Sequence, residues 1–156
     1  MAANAKPIPE GASVLIPRLF CRDPAAEIEF CKSTFGAVEL NRRGGADGTV
    51  MHALLTISGA MLMIEAEFPA IPSRAPAMDG SSPVVIYVYV GDVDETVERA
   101  VAAGARVLIP VKDQFWGDRT GWIVDPAGHV WTIFTRIEET SAQERSNRWD
   151  QIRSSS

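Results

Sequence analysis

A chain of 156 residues with a formal net charge of −5 and a pI near 5.0 has room for one domain, or for two small modules that share a core. Hydrophobic residues make up 46% and charged ones 22%, a balance that excludes wholesale disorder. With no cluster of Lys and Arg the chain lacks the basic face of a nucleic-acid binder, and no segment is apolar over the length a bilayer demands.

The N-terminal stretch Met1–Gly11 carries one Lys and two prolines but no apolar run, so it reads as an arm and not as a secretory signal. Cys21 and Cys31 match neither a CxxC pair nor a zinc spacing. The expectation is two reduced thiols in a cytoplasmic protein without a membrane segment.

In chain order, the arm covers residues 1–13 and an apolar strand follows at Val14–Phe20. A helix is expected over Ala25–Phe35, with Asp23 to cap it and Gly36-Ala37 to close it. Three strand-like runs come next, at Val38–Asn41, Val50–Ile57 and Ala60–Glu65. The segment Phe68–Pro83, rich in Pro, Ser and Gly, reads as a linker. The pattern then repeats. A strand at Val84–Val90 leads through Asp92 to a helix over Asp94–Ala103, closed at Gly104-Ala105. Strands are expected at Arg106–Val111, Gly121–Val124 and His129–Thr135, with turns at Ser58-Gly59, Gly117 and Asp125–Gly128. The tail, residues 138–156, carries a capping-box signature at Ser141–Glu144 and a short helix over Ser141–Ile152. Two βαβββ units, residues 14–67 and 84–137, therefore make up most of the chain, and this internal repeat is its most informative feature.

A doubled βαβββ unit resembles the vicinal oxygen chelate (glyoxalase/bleomycin resistance/dioxygenase) superfamily. Phe115-Trp116-Gly117-Asp118-Arg119 and Asp125–Trp131 in the second half look like its PhnB-like branch. So do Met51-His52-Ala53, Ile57-Ser58-Gly59 and Met61-Leu62-Met63 in the first. The resemblance implies an α+β fold in which the two modules form a cup-shaped mixed β-sheet with helices packed outside, completed as a homodimer. It also implies four metal-ligand positions, on the first and last strand of each half. Counted from the helix and turn landmarks, these fall on Ile16, Met63, Val85 and Thr132. Metal sites need imidazole, carboxylate or thiolate donors, so no metal and no other cofactor is expected.

Strand alternation nominates the residues that face the cup. Arg18 shares a face with Val14, Ile16 and Phe20, while Val85, Tyr87 and Tyr89 oppose a β-branched face made by Val84, Ile86, Val88 and Val90. If an even loop joins the strands around Ser58-Gly59, then His52, Leu54 and Thr56 share the cup with Met61, Met63 and Glu65. His52 is then a candidate catalytic proton carrier, or a structurally satisfied histidine. Arg18, in apolar surroundings, needs a partner, either a ligand anion or an acid such as Glu65 or Asp118. Tyr87 and Tyr89 suit a flat ligand, or simply fill space. Trp116 belongs to a loop that the resemblance places at the pocket rim, held by an Asp118–Arg119 salt link, and Thr132 completes the ligand-facing set. Trp131 and Ile133 point into the core.

Three functional readings follow. The first is a protein that binds a small molecule in the cup without the usual metal. The second is a metal-independent lyase- or isomerase-type enzyme using His52 with Arg18. The third is a metal-dependent glyoxalase- or dioxygenase-like enzyme, which the missing ligands oppose.

Overall fold

A computed structural model describes residues 5–156; the first four residues of the N-terminal arm lie outside them. Eight strands and three helices follow in the order β1 (Arg18–Cys21), α1 (Pro24–Phe35), β2 (Val38–Gly44), β3 (Val50–Ile57), β4 (Ala60–Ala66), β5 (Val85–Tyr89), α2 (Val93–Ala102), β6 (Arg106–Asp113), β7 (Asp118–Val124), β8 (Val130–Arg136) and α3 (Ala142–Ser154). The fold is α+β, with two βαβββ units. Each makes a four-stranded mixed sheet, in the orders β1-β4-β3-β2 and β5-β8-β7-β6. The first and last strand of each unit pair in parallel and the others pair antiparallel.

Local chemistry accounts for the element ends. The Asp23 carboxylate accepts from the amide of Ala26 at 3.1 Å, and Asp92 accepts from that of Glu95 at 3.0 Å, so each helix starts with a paired N–H. Gly36 takes φ +64° and closes α1 through its amide on the Lys32 carbonyl. The capping box of α3 is complete, with Ser141 and Glu144 exchanging hydrogen bonds. Ser58 (φ 47°) and Gly59 (φ 85°) form a two-residue turn in which Ile57 pairs with Ala60. That turn is the even loop on which the orientation of His52 depended.

One face of each sheet is covered by α1 and α2, which also touch each other. A single core results. It joins Leu19, Ile28, Leu55 and Ile64 of the first half to Val93, Val97, Ile123, Trp131 and Ile133 of the second. Burying each of the larger aliphatic side chains contributes about 1.5–3 kcal/mol. The opposite faces of the sheets stay open, as in a cup. Among the described residues no helix is long and apolar enough to cross a membrane.

Two local expectations need correction. The first strand begins at Arg18 and not at Val14. Pro17 has no amide to donate, and Val14 and Leu15 stand 87% and 86% exposed. Val84 is exposed ahead of β5, so only Ile86, Val88 and Val90 form the face packed on the core. The Pro-rich segment that links the halves lies against the second sheet as a strap. Its Pro76 and Ala77 carbonyls approach Gly128, Gly80 sits against Leu108 and Val124, and Arg22 and Arg106 donate to the carbonyls of Pro76 and Met78.

Gly117 ties the β6–β7 turn to the tail. It sits at φ +101°, and a Cβ there would lie 2.5 Å from the Glu138 carbonyl oxygen, while its own carbonyl accepts from the amides of Ile137 and Glu138. Gly117→Ala should therefore lower stability by at least about 2 kcal/mol, from backbone strain plus a clash with main chain. Urea denaturation checks this, with Gly48→Ala as the control for a left-handed glycine that has open space around it.

Candidate functional site

Paired strands place directly opposed side chains on the same face of a sheet, so the register defines both cup faces. In the first sheet Arg18 lies opposite Met63, and Glu65 lies opposite both Phe20 and His52. These side chains share the face away from α1, because Leu19, Ala53, Leu55, Leu62 and Ile64 fill the core on the other side. In the second sheet Tyr87 lies opposite Thr132, Tyr89 opposite Phe134, Trp122 opposite Thr132 and Thr120 opposite Phe134.

The two registers map one half onto the other. Arg18 corresponds to Tyr87, Phe20 to Tyr89, Met63 to Thr132, Glu65 to Phe134, His52 to Thr120 and Leu54 to Trp122. The first half presents a charged group where the second presents aromatic rings.

Arg18, Glu65 and His52 come together. One Glu65 oxygen, Oε1, accepts from His52 Nδ1 at 2.7 Å and forms an ion pair with Arg18, whose Nε lies 3.2 Å away. The Glu65 side chain is 12% exposed, His52 24% and Arg18 46%, so the group is half sunk with its cation outermost. The Arg18 guanidinium also lies 5.1 Å from the centre of the Phe20 ring, within cation–π range. An ionised carboxylate only accepts hydrogen bonds. The 2.7 Å contact therefore puts the proton of a neutral imidazole on Nδ1 and leaves Nε2 as the lone-pair nitrogen. Arg18 turns Nε towards Glu65 and keeps its two terminal nitrogens as a fork.

Tyr87 and Tyr89 are 63% and 58% exposed and stand edge-on to Phe134, with ring centres 4.9 and 4.1 Å away. The Tyr89 hydroxyl is the first of the groups that hold Arg136 above the ordinary arginine range. Thr132 lies beneath this layer at 2% exposure, and its hydroxyl has no hydrogen-bond partner. Trp116 is set apart from the others. Its indole N–H donates to Asp118 at 2.8 Å, and its ring meets Phe115 edge-on.

The expected Asp118–Arg119 link does not form, because neighbours along a strand point to opposite faces. Arg119 instead clamps Asp94 and Asp113 at 2.7 and 2.8 Å, and Asp118 lies buried against Trp116 with Arg136 3.5 Å away. Sequence reasoning also missed Trp122, Phe134 and Thr120 as cup residues. Alternation along Thr120, Trp122 and Val124 carried that signal, but the strand was expected to begin only at Gly121.

Arg18 lines a groove of about 540 Å³ between the β1 and β5 edges, together with Phe20, Arg74, Val84, Ile86 and His129. Of the four positions where the resemblance expects metal ligands, Met63 and Thr132 lie on the cup faces described above, with Ile16 and Val85 on the chain leading into Arg18 and Tyr87. An aliphatic pair, a thioether and a neutral hydroxyl do not make a zinc, iron or manganese site. Among the described residues no three His, Cys, Asp or Glu side chains are grouped to hold a metal.

A family profile described as Glyoxalase/Bleomycin resistance protein/Dioxygenase superfamily matches residues 13–133. An uncharacterised protein of Mycobacterium bovis is 39% identical over 147 residues, covering 92% of this chain and 93% of its own length. Among solved structures, TioX from Micromonospora sp. ML1 superposes with a TM-score of 0.63 at 30% identity, covering 81% of this chain and all of TioX. The PhnB protein of Bacillus cereus superposes with a TM-score of 0.63 at 19% identity, over 79% of this chain and 99% of its own.

The exposure of Arg18 sets its expected contribution to stability. Arg18→Ala leaves Glu65 its bond to His52 and its own access to water, so the loss should be no more than about 1 kcal/mol, as for a surface pair. Chemical denaturation without ligand measures it. A loss of about 3 kcal/mol or more would instead mean that Arg18 neutralises Glu65 as a buried charge.

Proposed function

Because the chain belongs to the glyoxalase/bleomycin resistance protein/dioxygenase superfamily, we propose that it uses the cup of that fold to bind a small molecule without a metal ion. The observation that carries this reading is the pairing of a charged cluster, Arg18–Glu65–His52, with the aromatic layer of Tyr87, Tyr89, Trp122 and Phe134. The metal-ligand positions meanwhile hold Ile16, Met63, Val85 and Thr132. Arg18 keeps the fork that binds a carboxylate or phosphonate side-on. The exposed tyrosines offer faces to a flat ring. The ligand class is thus a small molecule with an anionic group and a planar body. No cofactor is required, and the setting is cytoplasmic.

A second reading rests on the same oxygen of Glu65. By fixing the His52 ring through Nδ1 it aims the basic Nε2 away from the carboxylate, which is how a general base is oriented. Metal-independent proton transfer to or from a ligand held by Arg18 is the reaction class this geometry supports.

A homodimer belongs to the same proposal. Val14, Leu15, Val38, Leu40, Tyr87 and Tyr89 are exposed apolar or aromatic surface that a second copy would cover. Light scattering at micromolar concentration should return twice the 16.9 kDa chain mass, and a monomer would remove this part of the reading.

Metal content, isomerase activity and ligand binding test the central claim. The purified protein should hold no stoichiometric zinc, nickel, iron or manganese by elemental analysis, and a chelator should leave its melting temperature unchanged. It should also fail to isomerise the methylglyoxal–glutathione hemithioacetal. One tightly bound transition metal per chain would overturn the reading. In a thermal-shift screen against small anions, aromatic compounds and divalent metals, compounds carrying both a ring and an anion should raise the midpoint. Arg18→Ala should weaken their binding about ten- to a hundredfold. Turnover lost in His52→Ala with binding retained would select the enzymatic reading.

A further inference from the structure

The junction between the halves buries two carboxyl groups, Glu27 lining the same cleft as Pro126 and Ala127, the residues that follow Asp125. Glu27, on the inner face of α1, and Asp125, in the β7–β8 turn, are each 1% exposed. Neither has a salt-bridge partner among the described residues. Asp125 is fully engaged as an anion. Its Oδ1 accepts from the amides of Ala127 and His129, both at 2.9 Å, and its Oδ2 from the Trp131 indole at 2.7 Å. Glu27 has nothing comparable. Its Oε1 meets only the Cys31 thiol at 3.7 Å, and its Oε2 has no donor.

The other groups facing this pair offer no compensating charge. From β1 comes the buried Cys21 thiol, 3.9 Å from His129 Nε2, which itself contacts the Phe20 carbonyl at 2.9 Å. Arg22 shares a cleft of about 320 Å³ with Glu27, Ala26, Met78, Pro126 and Ala127, but its guanidinium is committed to the Pro76 carbonyl. Asp23, at the mouth of that cleft, adds a like charge. Two adjoining buried carboxylates cannot both ionise cheaply. One must keep a proton, and the donor pattern assigns it to Glu27. Burial, with the charge and hydrogen bond of Asp125, pushes the Glu27 carboxyl well above the usual range.

We propose that one proton, carried by Glu27 and shared with Asp125, latches α1 of the first half onto the β7–β8 turn of the second, and that the junction opens when this proton is lost. Opening would part β1, which carries Arg18, from the turn that His129 tethers to it. It would also expose Cys21 and Cys31, both fully buried at this junction.

The sign follows from linkage. A carboxyl raised in the folded state stabilises it fully below the ordinary Glu value, and that contribution falls away as pH rises towards the folded-state value. Across this window the opening equilibrium should grow about tenfold per pH unit, because one proton is released.

The two thiols report on opening. Alkylation of Cys21 and Cys31 by iodoacetamide is followed by mass spectrometry from pH 6 to 9, with reagent dilute enough that reclosing outpaces reaction. The comparison is with Glu27→Gln, whose amide can donate to Asp125 but cannot ionise. Thiol chemistry in the open state is common to both proteins, so the ratio of wild-type to variant rate isolates the latch. That ratio should climb with pH, by about tenfold per unit while pH stays below the folded-state value of Glu27, and a ratio constant from pH 6 to 9 overturns the proposal. Should Glu27→Gln not fold, the infrared spectrum of the folded wild type at pH 7 decides instead. A protonated-carboxyl band supports the latch, and its absence refutes it.

Discussion

The Asp125 carboxylate, held by three N–H donors inside the turn between β7 and β8, is the constraint on which the arrangement of the two halves depends. It fixes the start of β8 and orients Trp131, whose ring lies 4.7 Å from that of Phe35 at the end of α1. The same turn positions His129 to reach the Phe20 carbonyl on β1. A buried anion satisfied mainly by main chain is rigid, because each donor is fixed by the turn that presents it. The β1 edge, and with it Arg18, is therefore placed against the second sheet by a turn whose His129 lies 109 residues beyond Phe20.

Duplication built the cup, and divergence gave its halves different chemistry. Both units keep the same parallel register between first and last strand, Arg18 with Met63 and Tyr87 with Thr132. Equivalent positions nevertheless carry a guanidinium and a phenol, a carboxylate and a benzyl ring, an imidazole and a hydroxyl. One wall carries charged groups and the other aromatic rings. Neither half repeats the other's role. A single ligand touching both walls would be gripped by two unlike surfaces, and orientation follows from that asymmetry.

Much of the site was legible before any coordinates because strands have a period of two. The alternation His52, Leu54, Thr56 and Met61, Met63, Glu65 settles which residues share a face once the turn length is known, and Ser58-Gly59 supplies a two-residue turn. The same logic put Trp131 and Ile133 in the core, where they are 1% and 0% exposed. It stopped short of Trp122 and Phe134. The alternation that put Thr132 on the cup face extends to Phe134, whereas Trp122 needed its register with Thr132. The Asp118–Arg119 link failed for a related reason: adjacency in sequence suggested a contact that the pleat forbids.

The sequence by itself determined the doubled βαβββ pattern, the helix caps at Asp23, Asp92 and Ser141, and the absence of donor chemistry at Ile16, Met63, Val85 and Thr132. These depend on local propensity, periodicity and side-chain type, all of which a linear chain displays. Tertiary structure alone decided that Glu65 serves both His52 and Arg18 through one oxygen, and that Glu27 meets Asp125 in the core. Each of these depends on pairing distance and on what surrounds the group. Glu27 looks like any surface acid in the first turn of a helix. Only the packing of α1 against a distant turn removes water from it and makes its proton matter.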